Sequence, residues 1–128
     1  FGSYHILSSL YATQGEYSKA VEKALVGHQL MEQALAADDG NEIWRSDLFR
    51  LKLSLMNLSF YEPSLRNRFL PDKLGKWLDD NKLHFSDLKR FSQLKLSWAL
   101  EAAEYYQNSE NWQQSAELLI DIFYQIVM

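Results

Sequence analysis

The segment from Asn41 to Tyr61 constrains the fold more than any other part of the chain. Trp44, Leu48, Leu51, Leu55 and Leu58 recur at three- and four-residue spacing, and Phe49, Leu53, Met56 and Phe60 form a second row. At about 100° per residue the two rows lie on roughly opposite sides of one helix. A helix that is apolar on two opposite sides is sandwiched between neighbours, so the chain needs helices in layers. Between the rows, Arg50, Ser54 and Asn57 make a narrow polar strip.

The pattern returns further on. Phe91, Leu94, Trp98, Ala102 and Tyr105 make one row, and Leu88, Leu96, Ala99, Ala103 and Tyr106 another. Turn signals fall at Gln14-Gly15, Glu62-Pro63 and Ser109-Glu110-Asn111, and a second set falls at Asp38 to Asn41 and Asn81 to Ser86. They divide the chain into six helical segments over residues 3–13, 16–37, 42–61, 64–80, 86–108 and 110–127, read as three hairpins. Asn41 and Ser86 suit N-caps of the third and fifth segments, Gly40 suits a helix stop, and Pro71 should interrupt or restart the fourth. With only 2 Pro and 5 Gly in 128 residues, an all-α protein is expected.

Composition narrows the chemistry. No cysteine occurs, which excludes disulfides, thiolate zinc sites and a cysteine nucleophile, and fits a reducing, cytoplasmic setting. No run of 18 apolar residues is present, so no membrane span is expected. No glycine-rich phosphate loop, Gly-x-Ser-x-Gly or His-Glu-x-x-His occurs. His5 and His84 lie far apart, with no second histidine at i+3 or i+4, so no metal site is expected, and His28, in line with Ala24, Met31 and Leu35, reads as a packed, hydrogen-bonded core residue. Glu101 and Glu104 share a helix face, where paired carboxylates more often meet water than do catalysis. Neither an enzyme activity nor a cofactor or metal is expected.

Charge is unevenly spread. Residues 1–44 carry 2 basic and 6 acidic groups, residues 45–95 carry 11 and 6, and residues 96–128 carry 0 and 5. A basic middle can steer an acidic partner segment, or simply balance neighbouring helices. Arg66, Arg68, Lys73, Lys76, Lys82, Lys89 and Arg90 lie near Phe69, Trp77, Phe85 and Phe91. Those aromatics recur at helical spacing and are expected in the core, and the overall acidity opposes nucleic-acid binding.

Tyr4, Leu7, Tyr11, Gly15, Tyr17, Ala20 and Gly27, with Ser8 at a usually small position, give a succession of aromatic and small residues that resembles the tetratricopeptide repeat, a helix-turn-helix unit of about 34 residues. Ala24 departs from the pattern, where an aromatic is usual. Asn111-Trp112 with Ser115, preceded by Tyr106, matches more loosely over residues 99–122, and the middle hairpin does not match. The whole resembles the longer-repeat variety of tetratricopeptide-like arrays, used as sensor or regulatory regions in bacterial signalling proteins. The resemblance implies a solenoid of about three helix pairs and a non-catalytic module that binds a peptide segment or partner domain. The alternatives are a sensory region for a small ligand or signalling peptide, and a dimerisation module.

In such arrays the first helix of each hairpin lines a groove. By that resemblance the candidate contacts are His5, Ser9 and Thr13, with Ala12 beside them, on the first helix. Arg50, Ser54 and Asn57 follow on the third, and Arg90, Gln93, Ser97, Glu101, Glu104 and Asn108 on the fifth. The final stretch from Leu118 to Met128 is apolar on nearly every side. A terminal repeat normally needs a polar outer face. Residues 1–128 therefore read as one domain excised from a longer protein, with a further repeat or a homodimer contact covering the last helix.

Overall fold

The computed structural model describes residues 2–127. Among them are six α-helices: α1 (Gly2–Thr13), α2 (Tyr17–Ala37), α3 (Glu42–Leu58), α4 (Pro71–Asp80), α5 (Leu88–Asn108) and α6 (Trp112–Val127). Short 3-10 turns occupy Pro63–Leu65 and Lys82–His84. The chain forms two compact units, one running up to Leu74 and the other starting at Gly75.

In the first unit α1 packs antiparallel to α2, and α2 to α3. Small residues set the approach. Ala20, Ala24 and Gly27 lie buried on one side of α2 with Met31, and the Ser8 hydroxyl donates to the Ala20 carbonyl at 2.8 Å across the α1–α2 contact. Asn41 caps α3 as its type suggests, its Oδ1 accepting from the Trp44 N–H at 3.0 Å. Leu48, Leu51, Leu55 and Leu58 are buried, and so are Phe49, Leu53 and Met56 opposite them. The two-sided helix is thus covered on both sides, except that Phe60 is exposed beyond its end. The helix stops at Leu58 rather than Tyr61 because Glu62 precedes a proline and must be extended, with φ −130° and ψ 100°.

The expected middle hairpin is not built. The segment over residues 64–80 is no continuous helix: α4 starts only at Pro71, where proline's fixed φ suits a first turn. The extensive partner of α3 is α2, which makes the first unit a three-layered stack and not one hairpin followed by another.

In the second unit α5 and α6 form an antiparallel pair. Asp87, not Ser86, caps α5, accepting from the N–H groups of Lys89 (2.9 Å) and Arg90 (3.3 Å). Gly75 of α4 is buried against the Trp98 ring of α5, and Lys95 pairs with Asp79 at 2.7 Å. The second apolar row of α5 is only partly covered: Ala99 and Ala103 are buried, whereas Leu88 and Leu96 are exposed. Leu88 stands in the first turn of α5, and Leu96 lines an open cleft with Ile122 and Gln125 of α6.

The two hairpin turns are the same structure. After α1, Gly15 N–H donates to Ala12 O (3.0 Å) and Glu16 N–H to Tyr11 O (2.9 Å); after α5, Glu110 N–H donates to Gln107 O (3.0 Å) and Asn111 N–H to Tyr106 O (2.7 Å). Both are Schellman closures, which need a left-handed residue just past the helix. Gly15 supplies it at φ 79°, and Glu110 is forced into it at φ 61°. The correspondence continues to Ala20 and Ser115, both buried. A side chain in that region is strained by roughly 1 kcal/mol relative to glycine. Glu110→Gly is therefore expected to raise stability by about 1 kcal/mol. An unchanged or lower midpoint in denaturant would show that Glu110 is not strained.

Candidate functional site

The structure brings together part of the expected groove. His5 of α1 and Ser54 of α3 meet, with Ser54 Oγ 3.2 Å from His5 Nδ1. Arg50 lies one turn earlier on α3, exposed, with Nη1 3.3 Å from Asp47 Oδ1. Burial holds the His5 pKa below its usual value, the Arg50 charge adds to that, and Asp47 opposes it. Asn57 continues the strip and is half-buried. Ser9 and Thr13 are exposed further along α1, where the Thr13 hydroxyl donates to the Ser9 carbonyl at 2.9 Å. Ala12 is half-buried beside them. The neighbouring row of the same helix is apolar and open to solvent: Ile6 is 60% and Leu10 54% exposed.

A second polar cluster in this unit is internal. His28 is buried, its Nε2 3.1 Å from Lys52 Nζ and its Nδ1 3.1 Å from Glu32 Oε1. The Phe69 ring stands edge-on to the imidazole, centroids 5.4 Å apart. Burial, and then the Lys52 and Arg68 charges, push the His28 pKa down to about 4. Burial also lowers that of Lys52, against Glu32. A neutral imidazole accepting from Lys52 and donating to Glu32 satisfies all three groups. His28 is thus a hydrogen-bonded core residue, as its place on α2 suggests.

The remaining candidates lie on α5, in the second unit. Gln93, Ser97, Glu104 and Asn108 are exposed, and Arg90 and Glu101 half-buried. Of these, Gln93 lines a cleft. That cleft, of about 560 Å³, is formed by the start of α5 with Asp79, Lys82 and, from α6, Ile122 and Gln125. Its α5 wall includes Lys89, Phe91, Gln93, Lys95 and Leu96. Gln93 alone of these is a contact expected from sequence; Lys82, Lys89 and Phe91 are expected only as basic groups interleaved with core aromatics, and Leu96 as part of an apolar row. The available signal was that Lys89, Gln93 and Leu96 share one helix face.

The aromatics interleaved with basic residues are core groups: Phe69, Phe85 and Phe91 are buried and Trp77 is half-buried. Several basic residues are matched locally, Arg45 by Asp39 (2.8 Å) and Lys76 by Asp80 (2.7 Å). On α6, Leu119, Ile120, Phe123 and Tyr124 are exposed. Met128, at the end of the expected apolar stretch, lies outside the described residues, as do the side chains of Ile126 and Val127. Among the described residues no helix is long and apolar enough to cross a membrane.

No protein-family model significantly matches the sequence, and neither does any curated protein or solved structure.

Proposed function

We propose that this chain is a non-catalytic interaction module of a cytoplasmic protein, tetratricopeptide-like in build, that binds a peptide segment or partner domain. The observation that carries the reading is the meeting of His5 and Ser54, which unites the polar strips of α1 and α3 beside the exposed Ile6 and Leu10. Such a face offers apolar contact, hydrogen-bonding groups and one exposed guanidinium, the mixture by which helical grooves hold peptides. The repeated Schellman turns, with Ala20 and Ser115 in equivalent places, support the repeat-like build. The partner segment would carry aliphatic side chains for Ile6 and Leu10 and a carboxylate for Arg50.

Selection from a displayed peptide library tests this. Peptides combining aliphatic and acidic residues are expected to be enriched, and Arg50→Glu should weaken the selected peptides about tenfold or more while leaving helicity intact. Absence of enrichment, or equal affinity for Arg50→Glu, would remove this face as the site. The exposed row on α6 favours self-association as a second reading. A mass by light scattering that does not rise with concentration would eliminate it.

A further inference from the structure

The cleft of the second unit has a chemistry of its own, independent of the α1–α3 face. Its volume of about 560 Å³ falls within the roughly 300–1,000 Å³ typical of small-molecule sites. Phe91, Leu96 and Ile122 give it apolar walls, and Lys82, Lys89 and Lys95 bring three ammonium groups against the single carboxylate of Asp79. Asp79 is engaged by Lys95 at 2.7 Å. Lys82 holds its Nζ 5.5 Å from the Phe91 ring centroid. Among the described residues neither Lys82 nor Lys89 makes an ion pair, and the nearby carboxylate of Asp87 caps α5. Two positive charges without a carboxylate partner thus stand beside an apolar surface, Lys82 over the Phe91 ring.

We propose that this cleft binds a small amphiphilic anion. Its aromatic or short aliphatic body rests on Phe91, Leu96 and Ile122, and its anionic head lies between Lys82 and Lys89. Burying the body removes apolar surface from water, which drives binding without direction. The head supplies direction, because each lysine can donate a charge-assisted hydrogen bond to it. Lysine is a point charge on a flexible stem and lacks the planar fork of arginine, so it accepts carboxylate, sulfonate or phosphate alike. A neutral ligand of the same shape would leave the two ammonium groups uncompensated.

The probe is naphthoate, with naphthamide as its neutral counterpart and naphthyl phosphate as a second anion, each titrated into the isotope-labelled protein and followed by amide NMR shifts. Both anions are expected to saturate with Kd below about 1 mM, with shifts centred on the start of α5 and the end of α6. Naphthamide should bind about tenfold more weakly, and Lys82→Met and Lys89→Met should each weaken naphthoate about fivefold. Both lysines are exposed, so these variants should keep the parent melting temperature to within a few degrees. Lack of saturation, equal binding of the amide, shifts centred elsewhere, or unaltered affinity in both lysine variants would overturn the proposal.

Discussion

Replacing Ala20 with tryptophan is expected to unfold the first hairpin, at a cost above about 3 kcal/mol. Ala20 is fully buried, and its carbonyl receives the Ser8 hydroxyl across the α1–α2 contact. The row it belongs to has no slack. At Gly27, two turns on, a Cβ would stand 2.6 Å from Tyr4 Cβ and 3.2 Å from Leu51 Cδ1. Tyr4 Cβ is fixed to the α1 backbone and cannot swing aside, so α1 itself would have to move, while Leu51 holds the side facing α3. An indole at Ala20 enters the same close contact. Overpacking a tight core costs about 1–3 kcal/mol for far smaller insertions. Domains of this size have only about 5–15 kcal/mol in total. At about 4 °C per kcal/mol, the melting midpoint followed by circular dichroism should fall by more than about 10 °C. Ala36→Trp, on the exposed side of the same helix, is the control and should leave the midpoint in place. An unchanged midpoint for Ala20→Trp would refute the close packing of α1 on α2.

The small residues Ala20 and Gly27 of α2 were marked in the sequence by the resemblance to the tetratricopeptide pattern, and both are buried. The two rows of α3 were legible because spacing reports a buried helix face directly, and both are covered except at Phe60, with Trp44 half-buried. The partner of α3 was not. Periodicity tells how many sides of a helix are buried and is silent on which neighbour buries them, so α3 was paired forward with the fourth segment. Pro71 divides that segment, leaving a 3-10 turn at Pro63–Leu65 before α4, and α2 takes the place of the expected partner. Sequence alone also placed the α5 cap one residue early, since Ser86 and Asp87 are both good caps and only the backbone decides between them.

The candidate site was legible to a similar degree. The polar strips of α1 and α3 follow from helical spacing, and His5 and Ser54 do meet. The lysine-lined cleft did not follow, because it joins residues from three stretches of chain: Asp79 and Lys82, the start of α5, and Ile122. No local pattern links them. The left-handed Glu110 escaped notice because the left-handed position in such a turn is ordinarily marked by glycine, and this turn lacks it.

Acid is expected to destabilise the first unit through His28. Its folded pKa of about 4 lies below the 6.5 of an unperturbed histidine, so the unfolded chain binds the proton more readily over that interval. The stabilising contribution of the neutral imidazole is complete above the unfolded value and is lost as pH falls from there toward 4. Burial opposes the imidazolium first, and Lys52 and Arg68 add like charge; Glu32, more than half exposed, offsets them only in part. Protonation also fills the Nε2 lone pair that accepts from Lys52, so two cations would face each other at 3.1 Å. A displacement of this kind is worth about 1.4 kcal/mol per pH unit at full effect, and solvent screening reduces it here to about 2 kcal/mol overall. His28→Gln removes the titration while keeping an amide able to accept from Lys52 and donate to Glu32. Unfolding free energies from denaturant curves at about pH 7 and about pH 4.5 should therefore fall less in His28→Gln than in the parent, by about 1.5 kcal/mol. Other carboxylates titrate in both proteins and cancel in the comparison. Equal losses would mean that the imidazole becomes charged without penalty, and that the Lys52–His28–Glu32 chain is not the closed, neutral-imidazole arrangement the geometry describes.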